Sequence, residues 1–377
     1  MTAGRPILLA AGGTGGHLFP AEALATELAA RNVPVELVTD ERALAYAGHF
    51  PARALHAAPA DTLRGSGLAA YARLGLTLSR GVVRSLAILR KARPAAVVGF
   101  GGYPTFPPLV AARLLGVPIV LHEQNAVMGR ANRMLAKLAT RIATGFPSVA
   151  GVPGGRETVH VGNPVRPQVI AASAVPYRPP SESQPIRLLA FGGSQGARVI
   201  SEVLPTALSL LPAGLRERLA VTQQARPEDI ETARAAYSAA GVKAELSSFF
   251  ADMPGHMALA QFVIARAGAS TVAELAVIGR PSILIPLPHA LDNDQLANAN
   301  ALAFAGGAVV WEQARLTPQA LADDLFLRLE NIDGLAAAAA AARRVGAPDA
   351  AQRLADVVLA AAAGRLDEAP QALPPSN

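Results

Sequence analysis

The chain has 377 residues, which is long enough for two domains. Hydrophobic residues make up 51% of it and charged residues 16%, a composition typical of a well-packed α/β enzyme. It contains no cysteine, which excludes a disulfide scaffold, a cysteine zinc site and a cysteine nucleophile. The net charge of +6 favours polyanionic partners, and nucleic acid is the weakest of these because only 5% of the residues are aromatic. No apolar run has the length of a membrane span, and the first residues lack the pattern of a secretory signal.

The first motif is a glycine-rich turn, Gly12-Gly13-Thr14-Gly15-Gly16-His17, which follows the apolar run Ile7–Ala11. Such a loop can aim several N–H groups at one anion, and a helix behind it adds its dipole. The spacing fits neither the dinucleotide motif nor the Walker motif, so a plain strand-to-helix turn is the alternative. His17 favours a functional turn because imidazole exchanges a proton near neutral pH, and a buried structural histidine is the other interpretation.

Strand-like and helix-like segments alternate along the chain, which predicts parallel βαβ units. In the first half we predict, in chain order, helix 21–30, strand 34–39, strand 95–99, helix 109–115 and strand 118–123. Proline-rich stretches over 161–167 and 176–185 predict a linker. After the linker we predict, in chain order, strand 187–191, a glycine turn over 192–197, strands 219–223, 262–266 and 282–286, and helical residues 335–363 with breaks near 346 and 348.

This alternation predicts two doubly wound halves with a ligand cleft between them, with ligands outside the carboxyl ends of the strands. Two polar motifs end strands of the first half: the glycine turn Gly99–Pro104, and His122-Glu123-Gln124-Asn125. Four polar groups at a strand end are well placed to meet a polyhydroxyl ligand. The alternative for the second motif is a loop that hydrogen-bonds to itself.

In the second half, Arg266–Gly268 ends a strand and Ser270 and Thr271 are candidate caps of the helix that follows. Thr271 and Glu274 have the spacing of a capping box. The functional alternative is that Glu274 accepts both hydroxyls of a ribose, as acidic residues do in nucleotide sites.

A further polar cluster follows the next predicted strand. Asp292 and Asp294 fit either a cation-binding pair or a helix N-cap. Gln295 and Asn298 are three residues apart and therefore share one helix face.

The segment Gly67–Arg93 carries two stripes at helical spacing. The apolar stripe consists of Tyr71, Leu78, Val82, Leu86 and Leu89. The basic stripe consists of Arg73, Arg80, Arg84 and Lys91. This pattern predicts either a surface helix with its apolar stripe in the core, or a basic amphipathic helix on an anionic membrane.

Taken together, the motifs occur in one order along the chain: Gly12–His17, Gly101-Gly102-Tyr103, His122–Asn125, Gly162-Asn163-Pro164-Val165-Arg166, Gly192–Ala197, Arg266–Gly268 with Glu274, and Gln295 with Asn298. This set closely resembles the MurG family, the peptidoglycan N-acetylglucosaminyltransferases. The resemblance covers about residues 5–363 of the chain.

The resemblance implies an α/β chain with the GT-B fold, in which two Rossmann-like doubly wound domains face a cleft and the C-terminal helix crosses back to the first domain. The acceptor and membrane-facing domain would span 1–163 with the returning helix 347–364. The donor domain would span 164–346, and residues 365–377 would form a flexible tail.

The implied reaction moves N-acetylglucosamine from UDP-N-acetylglucosamine to the C4 hydroxyl of the muramoyl sugar of lipid I, undecaprenyl-pyrophosphoryl-MurNAc-pentapeptide. The products would be lipid II and UDP, with inversion at the anomeric carbon. GT-B enzymes generally work without a bound cation, so we expect no cofactor and no metal at Asp292 and Asp294. Many relatives have histidine where this chain has Asp294, and we assign that position no catalytic role.

Carried over by position, the second domain would hold the donor. The residues assigned to its diphosphate are Arg166, Ser194, Gln195, Gly196, Ala269, Ser270 and Thr271. The backbone near Phe249 and Phe250 would read uracil, and Glu274 would hold the ribose. Gln295, with Asn298 behind it, would grip sugar hydroxyls.

The first domain would hold the acceptor. The residues assigned to it are Thr14, Gly15, Gly16, Tyr103 and Asn125. His17 is our first candidate for the catalytic base and Glu123 is the second. Arg166 and backbone dipoles would meet the charge that develops on UDP.

Because an undecaprenyl chain lies in a membrane, the resemblance favours the membrane-binding interpretation of Gly67–Arg93. It implies a peripheral protein on the cytoplasmic face of the inner membrane, next to the cell-wall and division machinery. The rival hypotheses are a GT-B transferase acting on another lipid, a UDP-N-acetylglucosamine 2-epimerase and a non-enzymatic UDP-sugar sensor. An epimerase has no evident use for the acceptor motifs, and a sensor has little need of His17.

Overall fold

The computed structural model describes residues 4–12, 15–44, 50–61, 67–181, 184–193, 196–288 and 290–365, without the side chains of residues 42, 43, 68, 69, 71 and 291. The chain forms two compact units. The first unit comprises Met1–Arg166 together with Asp349–Asn377, and the second unit comprises Pro167–Pro348. The tail that we predicted over 365–377 lies, beyond Arg365, outside the described residues.

The first unit alternates strands and helices. Its strands are β1 (Ile7–Ala10), β2 (Val35–Thr39), β3 (Ala54–Ala57), β4 (Ala96–Gly99), β5 (Ile119–Glu123), β6 (Arg141–Thr144) and β7 (Thr158–His160). Its helices are α1 (Gly15–Ala30), α2 (Glu41–Leu44), α3 (Leu68–Ala92), α4 (Phe106–Leu114), α5 (Arg130–Leu135) and, from the end of the chain, α15 (Ala350–Ala362).

All strands of the first unit pair in parallel, in the order β3-β2-β1-β4-β5-β6-β7. The central strand β1 is the apolar run Ile-Leu-Leu-Ala, as expected for a strand that is buried on both faces. Ile7 and Leu9 pack with α1 and α15 on one face, and Leu8 and Ala10 pack with α3, α4 and α5 on the other. The helix α15 therefore completes the core of the first unit.

The second unit repeats this design. Its strands are β8 (Ile186–Phe191), β9 (Leu219–Gln224), β10 (Lys243–Ser247), β11 (Phe262–Ala265), β12 (Ser282–Leu284) and β13 (Ala308–Val310). Its helices are α6 (Pro167–Ser173), α7 (Arg198–Ser209), α8 (Ala213–Arg216), α9 (Ile230–Ala239), α10 (Met253–Leu259), α11 (Ala269–Ile278), α12 (Asp294–Phe304), α13 (Pro318–Glu330) and α14 (Ile332–Val345). The strands pair in parallel in the order β10-β9-β8-β11-β12-β13.

The predicted alternation of strands and helices is confirmed, although strands β3, β6, β7, β10 and β13 were not predicted. Two further differences affect predicted segments. The helix α1 begins at Gly15 instead of residue 21, so His17 lies in the first turn of the helix and not in the loop before it. The predicted linker contains the helix α6, which packs on α10 and α11 and so belongs to the second unit.

The helix α3 packs on α4. Of the apolar stripe predicted for it, Leu89 is buried in the core and Leu86 packs against that core, while the side chain of Tyr71 lies outside the described residues. The large apolar side chains that α3 exposes are instead Leu76 and Val83, with 54% and 67% of their surface accessible. Among the described helices, none combines the length and the apolar character that crossing a membrane requires.

Candidate active site

Each sheet has one point at which the strand order reverses, between β1 and β4 in the first unit and between β8 and β11 in the second. The chain leaves the two central strands there in opposite directions, which opens a crevice at their carboxyl ends. We call the turns after β1, β4 and β5 the first edge, and the turns after β8, β11 and β12 the second edge. The predicted polar motifs fall on these two edges.

His17 is half-buried in the first turn of α1, directly after Gly15 and Gly16. Its ring lies against the turn that follows β4: a Cβ atom on Gly101 would be 3.3 Å from His17 Cδ2, and one on Gly102 would be 3.8 Å from His17 Cε1. Both glycines have positive φ, of 88° and 76°, which side chains rarely tolerate. Burial lowers the pKa of His17 to about 4, so the imidazole is neutral at pH 7.

Glu123 ends β5 and is almost fully buried. Its Oε1 accepts hydrogen bonds from the backbone N and the Nδ2 of Asn125, at 2.9 and 3.3 Å. Its Oε2 accepts from the backbone N of Gly129 at 3.0 Å and from Asn132 Nδ2 at 2.8 Å. Burial raises the pKa of Glu123, and these four donors oppose the rise. The carboxylate thus orders the loop that carries Asn125. This agrees with the alternative interpretation of this motif, a loop that hydrogen-bonds to itself.

Asn132 links the loop after β5 to the glycine turn after β4. It is buried on α5, and besides bonding to Glu123 its amide lies 3.0 Å from where a Cβ on Gly101 would stand. His17 and Asn132 therefore pack against one glycine turn. The sequence carries no motif that singles out Asn132, because an asparagine inside a short helix has no distinctive spacing.

His122 is buried beside Glu123 and ties β5 to the segment that ends the first unit. Its Nε2 lies 3.1 Å from the carbonyl oxygen of Gly162, and Asn163 Nδ2 donates to the carbonyl oxygen of Gln124 at 2.8 Å. Burial lowers the pKa of His122 to about 4. The imidazole therefore donates Nε2–H to Gly162 as a neutral group.

Arg166, which the resemblance assigned to the donor domain, is the last residue of the first unit. Its guanidinium carbon Cζ lies 4.0 Å from the centroid of the Phe19 ring on α1, a cation–π contact. Tyr103, in the 3₁₀ turn after β4, is 41% exposed. Thr14 lies outside the described residues.

On the second edge, the turn after β8 runs from Gly192 to Ala197, and its Ser194 and Gln195 lie outside the described residues. A Cβ atom on Gly192 would come within 2.6 Å of Ala197, so the turn closes only with glycine at this position. Gly196 has φ +67° and donates its N–H to the carbonyl oxygen of Gly193 at 3.0 Å. A tight turn of this kind brings backbone N–H groups close to a ligand.

The helix α11 begins at Ala269 with Gly268 as its N-cap, and no side chain caps it. The capping-box interpretation of Thr271 and Glu274 is therefore wrong, because Thr271 lies inside the helix. The Ser270 hydroxyl is buried and, within the described part of the chain, has no hydrogen-bond partner. Glu274 is 6% exposed. The first turns of α11 thus offer N–H groups, a hydroxyl and a carboxylate at the switch point.

Buried polar side chains hold the strand ends of the second edge together. Arg266 Nη1 donates to the carbonyl oxygens of Ile285 and Pro286 at 3.2 and 3.1 Å, and its Nη2 donates to Gln313 Oε1 at 2.8 Å. Asn298 is fully buried, and its Nδ2 donates to the carbonyl oxygen of Ala267 at 3.2 Å. The ends of β11 and β12 are therefore fixed relative to each other.

Gln295 lies on the first turn of α12, and its Oε1 accepts from the backbone N of Leu287 at 2.9 Å. The neighbouring Asp292 and Asn293 both have positive φ, of 60° and 53°. The N-cap of α12 is Asn293, with no side-chain cap bond, so Asp292 and Asp294 are not the N-cap. Within the described residues, no group of three or more histidine or carboxylate side chains is arranged to hold a metal ion.

Phe249 and Phe250 follow β10, at the end of the sheet opposite β13. Phe249 is 73% exposed, and Phe250 meets the ring of His256 edge-on with centroids 4.9 Å apart. The hydroxyl of Ser247 donates to the carbonyl oxygen of Phe249 at 2.7 Å, which orders this backbone. The structure thus places the two phenylalanines two strands away from β8 and not among the residues after β11 and β12.

Comparison with known proteins agrees with these features. The chain matches the glycosyltransferase family 28 N-terminal domain over residues 7–144 and the family 28 C-terminal domain over residues 187–354. It is 55% identical to the UDP-N-acetylglucosamine–N-acetylmuramyl-(pentapeptide) pyrophosphoryl-undecaprenol N-acetylglucosamine transferase of Chelativorans sp. (strain BNC1), over 96% of each chain. It is 56% identical to the transferase of the same name from Methylobacterium sp. (strain 4-46), over 95% of this chain and 98% of that one.

Among solved structures, Acinetobacter baumannii MurG aligns with a TM-score of 0.75 at 30% identity, over 94% of this chain and 99% of that chain. An S. aureus MnaA–UDP co-structure aligns with a TM-score of 0.71 at 13% identity, which is a likeness of fold alone. Two Rossmann-like parallel sheets, each with a polar edge at its switch point, define a glycosyltransferase with the GT-B fold. The chain belongs to the MurG family within glycosyltransferase family 28.

Proposed function

We propose that this protein is an inverting transferase that moves N-acetylglucosamine from UDP-N-acetylglucosamine to the C4 hydroxyl of the muramoyl sugar of lipid I, giving lipid II in peptidoglycan synthesis. The structural observation that carries the proposal is the uncapped start of α11 at the switch point of the second sheet. Helix N-termini with unused N–H groups attract phosphates. The relatives' names supply the chemical identity of donor and acceptor.

The donor's diphosphate is assigned to α11 and to the turn that contains Gly196. The buried Ser270 hydroxyl supports this assignment, because a hydroxyl without a partner among the described residues gains a hydrogen bond from a phosphate oxygen. Glu274 accepts the ribose hydroxyls. The Oε1 of Gln295 is engaged by Leu287, so its Nε2 is the atom that we assign to a sugar hydroxyl. Arg166 supplies positive charge for a diphosphate.

In the reaction, His17 takes the proton of the acceptor hydroxyl while the oxygen attacks the anomeric carbon. The new O–C1 bond forms on the face opposite the leaving group, so the configuration inverts. The bond between C1 and the phosphate oxygen breaks, and UDP leaves with the electron pair. The lowered pKa of His17 keeps the imidazole unprotonated, and so able to accept a proton, at neutral pH, but it also makes His17 a weaker base than an unshifted histidine. The assignment rests on the place of His17 at the first edge.

Glu123 is the weaker candidate for the base, because both of its carboxylate oxygens already accept hydrogen bonds inside the protein. We assign it a positioning role. It holds Asn125 at the first edge and keeps Asn132 packed against the glycine turn that contacts His17.

We further propose that α3 binds an anionic membrane. Its exposed basic residues Arg73, Arg80, Arg84 and Lys91 are spaced by seven, four and seven residues, so they share one side of the helix. The exposed Leu76 and Val83 lie next to them on the helix surface. Such a face combines electrostatic attraction with apolar area, as peripheral membrane helices do. The location that we propose is the cytoplasmic face of the inner membrane, beside the cell-wall and division machinery.

Product analysis by mass spectrometry tests the activity. The purified protein is incubated with UDP-N-acetylglucosamine and a lipid I analogue, next to a reaction without acceptor. We expect a disaccharide-lipid and an equal amount of UDP only when acceptor is present. Isomerised UDP-sugar without acceptor would support an epimerase, and saturable UDP-sugar binding without turnover would support a sensor; either result would overturn the proposal.

A further inference from the structure

Arg226 lies beside the glycine turn of the second edge. It follows β9, which pairs with β8, so residues leaving β9 emerge next to the turn that leaves β8. A Cβ atom on Gly196 would stand 2.6 Å from Arg226 Cγ and 3.6 Å from its Cδ. The aliphatic stem of Arg226 therefore covers Gly196, and there is room for this contact only because residue 196 is a glycine.

The guanidinium of Arg226 is fixed at its far end. Its Nε donates to Asp229 Oδ2 at 2.6 Å and its Nη2 donates to Asp229 Oδ1 at 2.9 Å, a bidentate pair. Glu228 Oε1 lies 3.2 Å from Nη1. Since two carboxylates already surround the guanidinium, its charge is compensated locally, and the part of Arg226 that meets the turn is its apolar stem.

Asp229 ends the 3₁₀ turn Pro227–Asp229, which runs directly into α9, and its backbone is helical. Its side chain makes no cap bond. The carboxylate is turned to Arg226, so the pair lies within one short, continuous helical segment that starts directly after Arg226.

We infer that Arg226 is a positioning residue for donor binding: its stem holds the backbone at Gly196, and Arg226 is itself locked by Asp229. The inference rests on the proposed donor site. Backbone that is held before the diphosphate binds loses less conformational freedom on binding, so the contact raises affinity for the nucleotide without touching it.

A double-mutant cycle on UDP binding, measured by calorimetry, tests this inference. Arg226→Ala weakens UDP binding by about tenfold, because the backbone at Gly196 then loses its support from the arginine stem and must be fixed on binding. Gly196→Ala weakens binding in both backgrounds, since alanine is strained at φ +67°. The loss is about tenfold smaller in the Arg226→Ala background, where the clash with Cγ is absent.

Kinetics separate positioning from general destabilisation. In Arg226→Ala, KM for UDP-N-acetylglucosamine rises while kcat and KM for the acceptor stay within about twofold of wild type. Arg226→Lys keeps the stem but loses the bidentate pair, and it falls between wild type and alanine. Arg234→Ala is the matched control: it removes an exposed arginine of α9 whose ion pair with Glu231 is long, at 3.7 Å, and UDP binding is unchanged.

If the effects of the two substitutions on UDP affinity simply multiply, the inference is wrong while the donor site stands. The same holds if Arg226→Ala and Arg226→Lys both bind UDP as wild type does. If the wild-type protein binds neither UDP nor UDP-N-acetylglucosamine, the proposed donor site fails and the inference fails with it.

Discussion

At the first edge, the groups placed at the switch point are His17 and, beside it, the loop ordered by Glu123. The side chains of His17 and Glu123 are both titratable. Burial lowers the pKa of His17 and raises the pKa of Glu123, and each shift favours the neutral form of the side chain. At the second edge, the corresponding place is taken by a helix start, a hydroxyl and a carboxylate, with strand ends fixed by Arg266 and Asn298. In the proposed function, one sheet topology therefore serves proton transfer in one unit and the binding of anions and hydroxyls in the other.

The units also differ in the element that precedes the second central strand. In the first unit this is α3, which spans Leu68–Ala92, and in the second unit it is α10, which spans only Met253–Leu259. A short helix is enough to connect β10 to β11. The additional turns of α3 carry the exposed Leu76 and part of the basic stripe, so the extra length provides a surface and not a connection.

The largest effect should fall on the first edge. We expect His17→Ala to lower kcat by about a hundredfold to ten-thousandfold, the range typical of a lost general base. UDP affinity, measured by calorimetry, stays at the wild-type value because UDP is assigned to the second unit. His160→Ala, which removes an exposed histidine of β7, is the matched control. A kcat within tenfold of wild type would contradict the assignment of proton transfer to His17.

Next in size is the effect on the surface of α3. Replacing Arg73, Arg80 and Arg84 with glutamate should weaken binding to phosphatidylethanolamine–phosphatidylglycerol vesicles by about a hundredfold, since each basic residue near an anionic surface contributes about 1 kcal/mol. Co-sedimentation measures this, and added salt weakens the wild-type attachment. Glutamate at the exposed arginines 187, 234 and 344 of the second unit changes the net charge equally. Equal losses in both triple variants would show that charge alone, and not α3, drives binding.

At the second edge, Glu274→Gln should raise KM for UDP-N-acetylglucosamine by about tenfold, because hydrogen bonds to a charged acceptor are stronger than those to a neutral one. Steady-state kinetics with saturating acceptor measure the change.

Thr271→Ala should leave the unfolding temperature unchanged, since Thr271 caps nothing. A clear fall in that temperature would restore the capping box and weaken the ribose assignment.

The last prediction is that kcat/KM for the acceptor does not change over a range of pH. A histidine pKa that falls from 6.5 to about 4 leaves the imidazole almost fully deprotonated from about pH 5.5 upward. Hence kcat/KM for the acceptor should stay level from pH 7.5 down to about pH 5.5, where an unshifted histidine would already be mostly protonated. A decline with a midpoint between pH 6 and 7 would contradict the burial of His17.

Most of this architecture could be predicted from the sequence. The apolar runs of β1, β4, β5, β8 and β11 are buried strands bounded by glycines or polar residues, so both sheets and both edges could be predicted. Strands β3, β6, β7, β10 and β13 escaped prediction because each is short and carries no long apolar run. All of them except β6 also lie at the ends of the sheets and are partly exposed.

The contacts that organise the site were less predictable. Asn132 bonding to Glu123 and Arg226 covering Gly196 join residues from different loops, and only the folded sheet brings those loops together. The spacing of Thr271 and Glu274 fits a capping box equally well inside a helix, so local sequence misplaced the helix start. In α3, Leu86 and Leu89 face the core, as the first of the two interpretations of the apolar stripe predicted. The exposed Leu76 and Val83 were not part of that stripe.

The helix α15 has a consequence for how the protein is made. Leu354, Val358 and Ala361 complete the core around β1, yet they are translated after the whole of the second unit. During synthesis, the second unit, which is the continuous segment Pro167–Pro348, can form its own core while the first unit still lacks α15. The first unit therefore cannot complete its core before α15 has been synthesised, and the apolar surface of α1 that α15 covers stays exposed until then.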